Sequence, residues 1–122
     1  MRRILLCLFA MISLISYADV GAIVLNPKGS SDDRSGSPLY FDMPLAYYHY
    51  DVKTQDIIID GGGVVSYYDV EISSPVTNTV EISTQVDGTY DTFDISSLAA
   101  GAHVITIESP SGNIYEGIFT TY

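Results

Sequence analysis

Residues 103–119, HVITIESPSGNIYEGIF, decide how this chain is read. Ile105 and Ile107 alternate with Val104, Thr106 and Glu108. Tyr115, Gly117 and Phe119 alternate with Ile114, Glu116 and Ile118. A side-chain period of two belongs to an extended strand, whose successive residues point to opposite faces. Between the two runs stands Ser109-Pro110-Ser111-Gly112-Asn113, a cluster of turn formers. The stretch therefore predicts an antiparallel hairpin. Its second strand carries apolar groups on both faces and is expected to be covered on both sides.

The same period recurs upstream. Tyr68, Val70 and Ile72 alternate with Asp69, Glu71 and Ser73, and Val80, Ile82 and Val86 with Glu81, Ser83 and Gln85. Gly21 to Leu25, Leu45 to Val52 and Ile57-Ile58-Ile59 read as further strands, the last one β-branched and suited to burial. Asp87-Gly88 is a two-residue hairpin signal, with Tyr90 to Ile95 after it. Asp60-Gly61-Gly62-Gly63 must bend or stay mobile, and Ser73-Ser74-Pro75 ends a ladder. No segment sustains a helical apolar period. Seven or eight strands at roughly ten-residue spacing predict an all-β, antiparallel sandwich. Pro27 to Pro38 holds almost nothing apolar. A solvated crossover between sheets is expected there, with a flexible tether as the alternative.

The first residues read as an address. Arg2 and Arg3 precede an apolar run from Ile4 to Ile15, and Ser16-Tyr17-Ala18 is a small-x-small cleavage signature. Residues 1–18 are expected to be a signal peptide, cut after Ala18, and residues 19–122 the β-sandwich domain. The run is shorter than the ~20 residues of a spanning helix, so no membrane span is expected after cleavage. Cys7 lies inside the run and leaves with it. The remaining chain has no cysteine, which excludes disulfide scaffolds and Cys-based zinc sites. The expected location is exported: periplasmic, cell-surface or extracellular.

The 122 residues suit one domain of this kind. Five Lys and Arg against 15 Asp and Glu give a net charge of −10. That excludes nucleic acid, which needs clustered cations, and disfavours anionic lipid for the same reason. No residue set resembles a nucleophile elbow, a phosphate loop or a zinc His pair. No catalysis and no cofactor are expected. The acids lack the regular short spacing of a calcium loop and read as a solvated surface. His103 shares phase with Ile105 and Ile107 and reads as a partly buried residue at a strand start. His49 offers at most a pH-dependent contact.

Tyrosine is the one abundant binder. Tyr47, Tyr48 and Tyr50 fall in one strand, so Tyr47 and Tyr48 must face opposite sides. One side packs, and the other can expose an aromatic anchor for a protein or a sugar. These three are the candidate binding residues.

Three segments carry a family pattern: Phe93-Asp94-Ile95-Ser96-Ser97-Leu98, Gly101-Ala102-His103-Val104-Ile105-Thr106-Ile107 and Gly112-Asn113-Ile114-Tyr115-Glu116-Gly117-Ile118-Phe119. Together with Arg34-Ser35 and Pro38 they resemble the small secreted proteins of the family called domain of unknown function 3244, from anaerobic gut Gram-negative bacteria. The resemblance implies an immunoglobulin-like sandwich in a secreted or periplasmic location, and it implies no activity. The family pattern has an aromatic, often Tyr, where this chain has His103, so any tyrosine-corner contact is expected to be weakened. The functional expectation is a non-catalytic protein-interaction or structural module of the cell envelope. It would work through an unknown protein partner or by self-association at a sheet edge, including exchange of Gly21 to Leu25 between copies. A glycan-binding module using exposed Tyr is the alternative.

Overall fold

In a computed structural model the chain forms nine antiparallel strands in two sheets, and the structure describes residues 19–30, 40–51 and 53–122. The strands are β1 (Asp19–Ile23), β2 (Asn26–Ser30), β3 (Leu45–Tyr50), β4 (Gln55–Asp60), β5 (Tyr67–Ser73), β6 (Val80–Asp87), β7 (Tyr90–Asp94), β8 (Gly101–Glu108) and β9 (Asn113–Thr121). One sheet has the order β1-β3-β4-β7 and the other β2-β9-β8-β5-β6. A 3-10 turn, Tyr40–Asp42, leads into β3. The signal-peptide reading and most of Pro27 to Pro38 lie outside the described residues.

The core comes from the alternating positions. Tyr68, Val70 and Ile72 of β5, Ile105 and Ile107 of β8, Tyr115 and Phe119 of β9, and Ile57 and Ile59 of β4 are all buried between the sheets. Their neighbours in sequence point outward, as period two requires. Ile118 is the exception to the expectation for the last strand: it is 66% exposed, so β9 is covered on its inner face only.

The ninth strand arises because the N-terminal ribbon serves both sheets. β1 pairs with β3, and after Val24 and Leu25 the chain continues as β2 against β9. Ile23 and Leu25 turn into the core while Val24 is exposed. The ribbon passes so close to β9 that a Cβ on Gly117 would lie 2.7 Å from the Val24 carbonyl oxygen. Pro27 sits in β2 because that strand is an edge, where the missing N–H costs no inner ladder bond. The register shifts between Pro27 and Gly29.

Asp87-Gly88 does not close a hairpin. β6 and β7 lie in different sheets, and the turn hands the chain from one to the other. The cause is the glycine loop upstream. Gly61 N–H and Gly62 N–H both donate to the Thr89 carbonyl at 3.1 Å, Gly63 N–H to Gly88 O at 3.1 Å, and Gly88 N–H to Ser66 O at 3.0 Å. Gly88 is buried, and a Cβ there would stand 1.9 Å from Val65 O. The Gly61–Gly63 segment, expected to bend or stay mobile, is thus a backbone clamp on this crossover.

Candidate interaction surface

Tyr47, Tyr48 and Tyr50 do not share a face. Tyr48 is buried, its hydroxyl donating to Gln55 Oε1 at 2.5 Å. Burial pushes its phenol pKa up, against the opposing bond from the Tyr122 backbone. Tyr50 is half-buried against the core, with its ring 5.4 Å from that of Tyr122. Tyr47 alone lies on the outer side, between Ala22 of β1 and Ile58 of β4. The opposite facing of Tyr47 and Tyr48 follows strand parity.

The register then defines the whole outer face of the four-stranded sheet. Val20, His49, Asp56 and Asp94 form one row across it. Ala22, Tyr47, Ile58 and Thr92 form the next, followed by Leu45, Asp60 and Tyr90. Val20 is 53% exposed, Leu45 56% and Tyr90 56%. The strands of this sheet contain no Lys or Arg. His49 Nδ1 lies 3.5 Å from Asp56 Oδ2, a partly exposed pair. The face is a flat apolar and aromatic field set with carboxylates. Tyr90 was not singled out from sequence, because only the β4–β7 register brings it near Tyr47.

Two polar clusters hold the sandwich together. Asp42 is buried at 1% exposure, and its carboxylate accepts from Ser111 Oγ at 2.6 Å, from Asn113 Nδ2 at 3.1 and 3.2 Å, and from the Tyr115 hydroxyl. Tyr68 donates to the Asp42 carbonyl at 2.8 Å. Burial alone would raise the Asp42 pKa, but the hydrogen bonds from Ser111, Tyr115, Ser109 and Asn113 outweigh it and hold the carboxyl below its ordinary range. Burial and the nearby Asp42 charge push Tyr68 up to about 12 and raise Tyr115 as well. These donors come from the β8–β9 turn and from β9, so Asp42 pins the entry to β3, in one sheet, against the β8–β9 hairpin of the other. No local sequence signal marks it, since its partners lie about seventy residues away.

His103 is the second cluster. It is buried at 4% exposure, with Nδ1 2.8 Å from Glu81 Oε1 and Nε2 2.7 Å from Ala99 O. Both neighbours offer acceptor oxygens to the ring nitrogens. A tyrosine corner makes its bond to backbone a few residues upstream. His103 makes a contact of this kind through Nε2 and adds a tie to β6 through Glu81.

Among the described residues no group of three or more His, Cys, Asp or Glu gathers as metal ligands would. No described helix is long and apolar enough to cross a membrane. No protein-family model matches the chain, and no curated protein does. A solved structure from Bacteroides vulgatus, a DUF3244 family protein with an immunoglobulin-like β-sandwich fold, superposes with a TM-score of 0.60. The match covers 85% of this chain and 100% of that one, at 15% identity. This chain is an immunoglobulin-like β-sandwich. The similarity to the DUF3244 proteins read from residues 93–119 is met at the level of fold. In this immunoglobulin-like sandwich the outer face of the four-stranded sheet groups exposed Val20, Leu45 and Tyr90 around Tyr47 and Ile58.

Proposed function

We propose that the chain is a non-catalytic protein-interaction module of the cell envelope, exported by residues 1–18, and that it docks a folded partner on the outer face of the β1-β3-β4-β7 sheet. The observation that carries this reading is the exposure of Val20, Leu45 and Tyr90 around Tyr47 and Ile58 on one flat face. Large apolar side chains grouped on a surface mark interaction sites, and a Tyr anchor ringed by polar groups is typical of them. Fold alone supplies no activity, so the reading rests on this face.

The test is retention of partners from an envelope extract by tagged chain 19–122. Leu45→Glu and Tyr47→Ala are compared with the unaltered protein, with circular dichroism to verify folding. Loss of a reproducible partner in both folded variants is expected. Partners retained undiminished by both would overturn the reading.

A second reading is favoured by the presence of Tyr47 and Tyr90 on the same face as Asp60 and Thr92. Tyr rings stack on the C–H faces of sugars while carboxylates and hydroxyls bond to sugar hydroxyls, so a neutral glycan fits there. Retardation on immobilised glycans that is lost in Tyr47→Ala and Tyr90→Ala would select it over a protein partner.

A further inference from the structure

Four strands end the two sheets, and they are not equally protected. On one side of the sandwich β1 and β2 are joined by Val24-Leu25, which closes the gap between the sheets. β2 carries Pro27, Lys28 and a register shift, the usual means of blunting an edge. On the other side β6 and β7 are the two edges, joined only by the turn after Asp87. β6 is eight residues long and contains no Pro, Gly or Lys.

The backbone geometry of β6 shows which groups point off the sheet. Asp87 N–H donates to Asp91 Oδ2 at 3.0 Å, whereas Gly88 N–H reaches Ser66 O on the β5 side. In an antiparallel strand the direction alternates. The N–H and C=O of Gln85 and Ser83 therefore point away from β5, while Ile82, Thr84 and Val86 bond inward to it. The register shift at Glu81, whose carboxylate is held by His103, ends the usable edge at one end. The Asp91 side chain caps it at the other.

The side chains beside this edge are an unfinished core. Ile82 on β6, Phe93 on β7 and Leu98 beyond it pack against the buried cluster but stay partly exposed. An added strand would place every second side chain over Ile82 and Phe93. The surrounding charge selects its chemistry. Asp87 and Asp91 stand at one end of the edge and Glu81 at the other, and no Lys or Arg follows Lys53 in the sequence. A second copy would bring the same carboxylates against them.

We infer that the β6 edge takes up an extended, basic segment of a different protein by strand addition, with apolar residues at alternate positions facing Ile82 and Phe93. This goes beyond the outer-face reading and stands or falls separately, because neither Ser83 nor Gln85 belongs to that face. Main-chain bonds to Ser83 and Gln85 supply the affinity, and the apolar alternation and basic ends supply the selectivity.

The probe is a fluorescein-labelled heptapeptide, Lys-Val-Thr-Val-Thr-Val-Lys, added to chain 19–122. Its control has Pro in place of both Thr. Fluorescence polarisation is expected to rise with the first peptide and not with the control. Amide exchange by NMR is expected to slow at Ser83 and Gln85 in the unaltered protein. Gln85→Pro removes one outward donor and is expected to weaken uptake about tenfold, the effect of one lost ladder bond. Absence of uptake, or protection elsewhere than Ser83 and Gln85, overturns the inference. So does dimerisation of the free protein through these two amides, which would make a second copy the occupant.

Discussion

The carboxylate of Asp42 and the hydroxyl of Tyr115 meet inside the sandwich from positions 73 residues apart. Among the described residues this buried anion is held by neutral hydrogen-bond donors, Ser111, Asn113 and Tyr115. Removing one donor is costly because the charge stays buried. Tyr115→Phe is expected to lose about 1.5–3 kcal/mol in urea unfolding, the range for a bond to a charged group. Asp42→Asn is expected to lose at least as much. A double-mutant cycle should show coupling between the two, and strictly additive losses would refute the direct bond.

The same carboxylate gives the fold an acid-sensitive component. Its pKa is depressed in the folded state, so its contribution is complete above the unfolded value of about 3.9 and is lost as pH falls through the folded value. Stability of the unaltered protein should drop on acidification below about pH 4 more steeply than that of Asp42→Asn. Equal slopes in chemical denaturation at pH 3 to 5 would show that Asp42 carries none of it.

Two glycines of one clamp should respond differently. Gly88→Ala places a methyl against Val65 O, a backbone atom that has nowhere to move, and is expected to cost about 3 kcal/mol or more. Gly62→Ala meets nothing within 4 Å but holds a φ of +68°, so the expected loss is only about 1 kcal/mol of backbone strain. Thermal unfolding of both variants separates collision from strain.

His103→Phe keeps the ring volume and deletes both polar contacts. Glu81 Oε1 then loses its His103 partner, and Ala99 O keeps only the bond from Thr121 Oγ1 at 3.0 Å. A loss of about 2–3 kcal/mol is expected, with faster amide exchange along the β6 end near Glu81. Exchange unchanged there would mean that the Glu81 tie does not order the edge.

The N-terminal ribbon tests strand exchange. Deleting Asp19 to Asn26 removes the burial of Ile23 and Leu25, about 3–6 kcal/mol by side-chain transfer, and bares the edges of β3 and β9. Loss of stability and self-association are expected, with a peptide of residues 19–30 restoring the monomer in sedimentation. A truncated chain that keeps both its stability and its oligomeric state would end the idea that this strand can pass between copies.

Local alternation was enough to read β5, β8 and β9, because each has one inner face and period two marks it directly. The parity of Tyr47 and Tyr48 was equally legible. Which of the two is inside depends on what lies across the sheet interface, and Phe119 and Tyr122 supply that for Tyr48. Asp87-Gly88 misled because hairpin preference is a local property. The direction of this turn is set by Gly61 to Gly63, which hold Gly88 and Thr89 from upstream. Asp42 was invisible for the same reason: its meaning resides in Ser111, Asn113 and Tyr115. Tyr90 joined the candidate face only through cross-strand register.

The two-sheet ribbon also sets the order of assembly. β1 can meet β3 by closing a short loop, but Asn26 must find Glu116 about ninety residues along the chain. Half of one continuous segment is thus committed early while the other half stays unpaired until the last strand arrives. Contacts this distant in sequence slow folding, since loop-closure entropy is spent before they form. Completion of the five-stranded sheet is therefore expected to be the slow step, and β9 the gate through which every molecule reaches its native state.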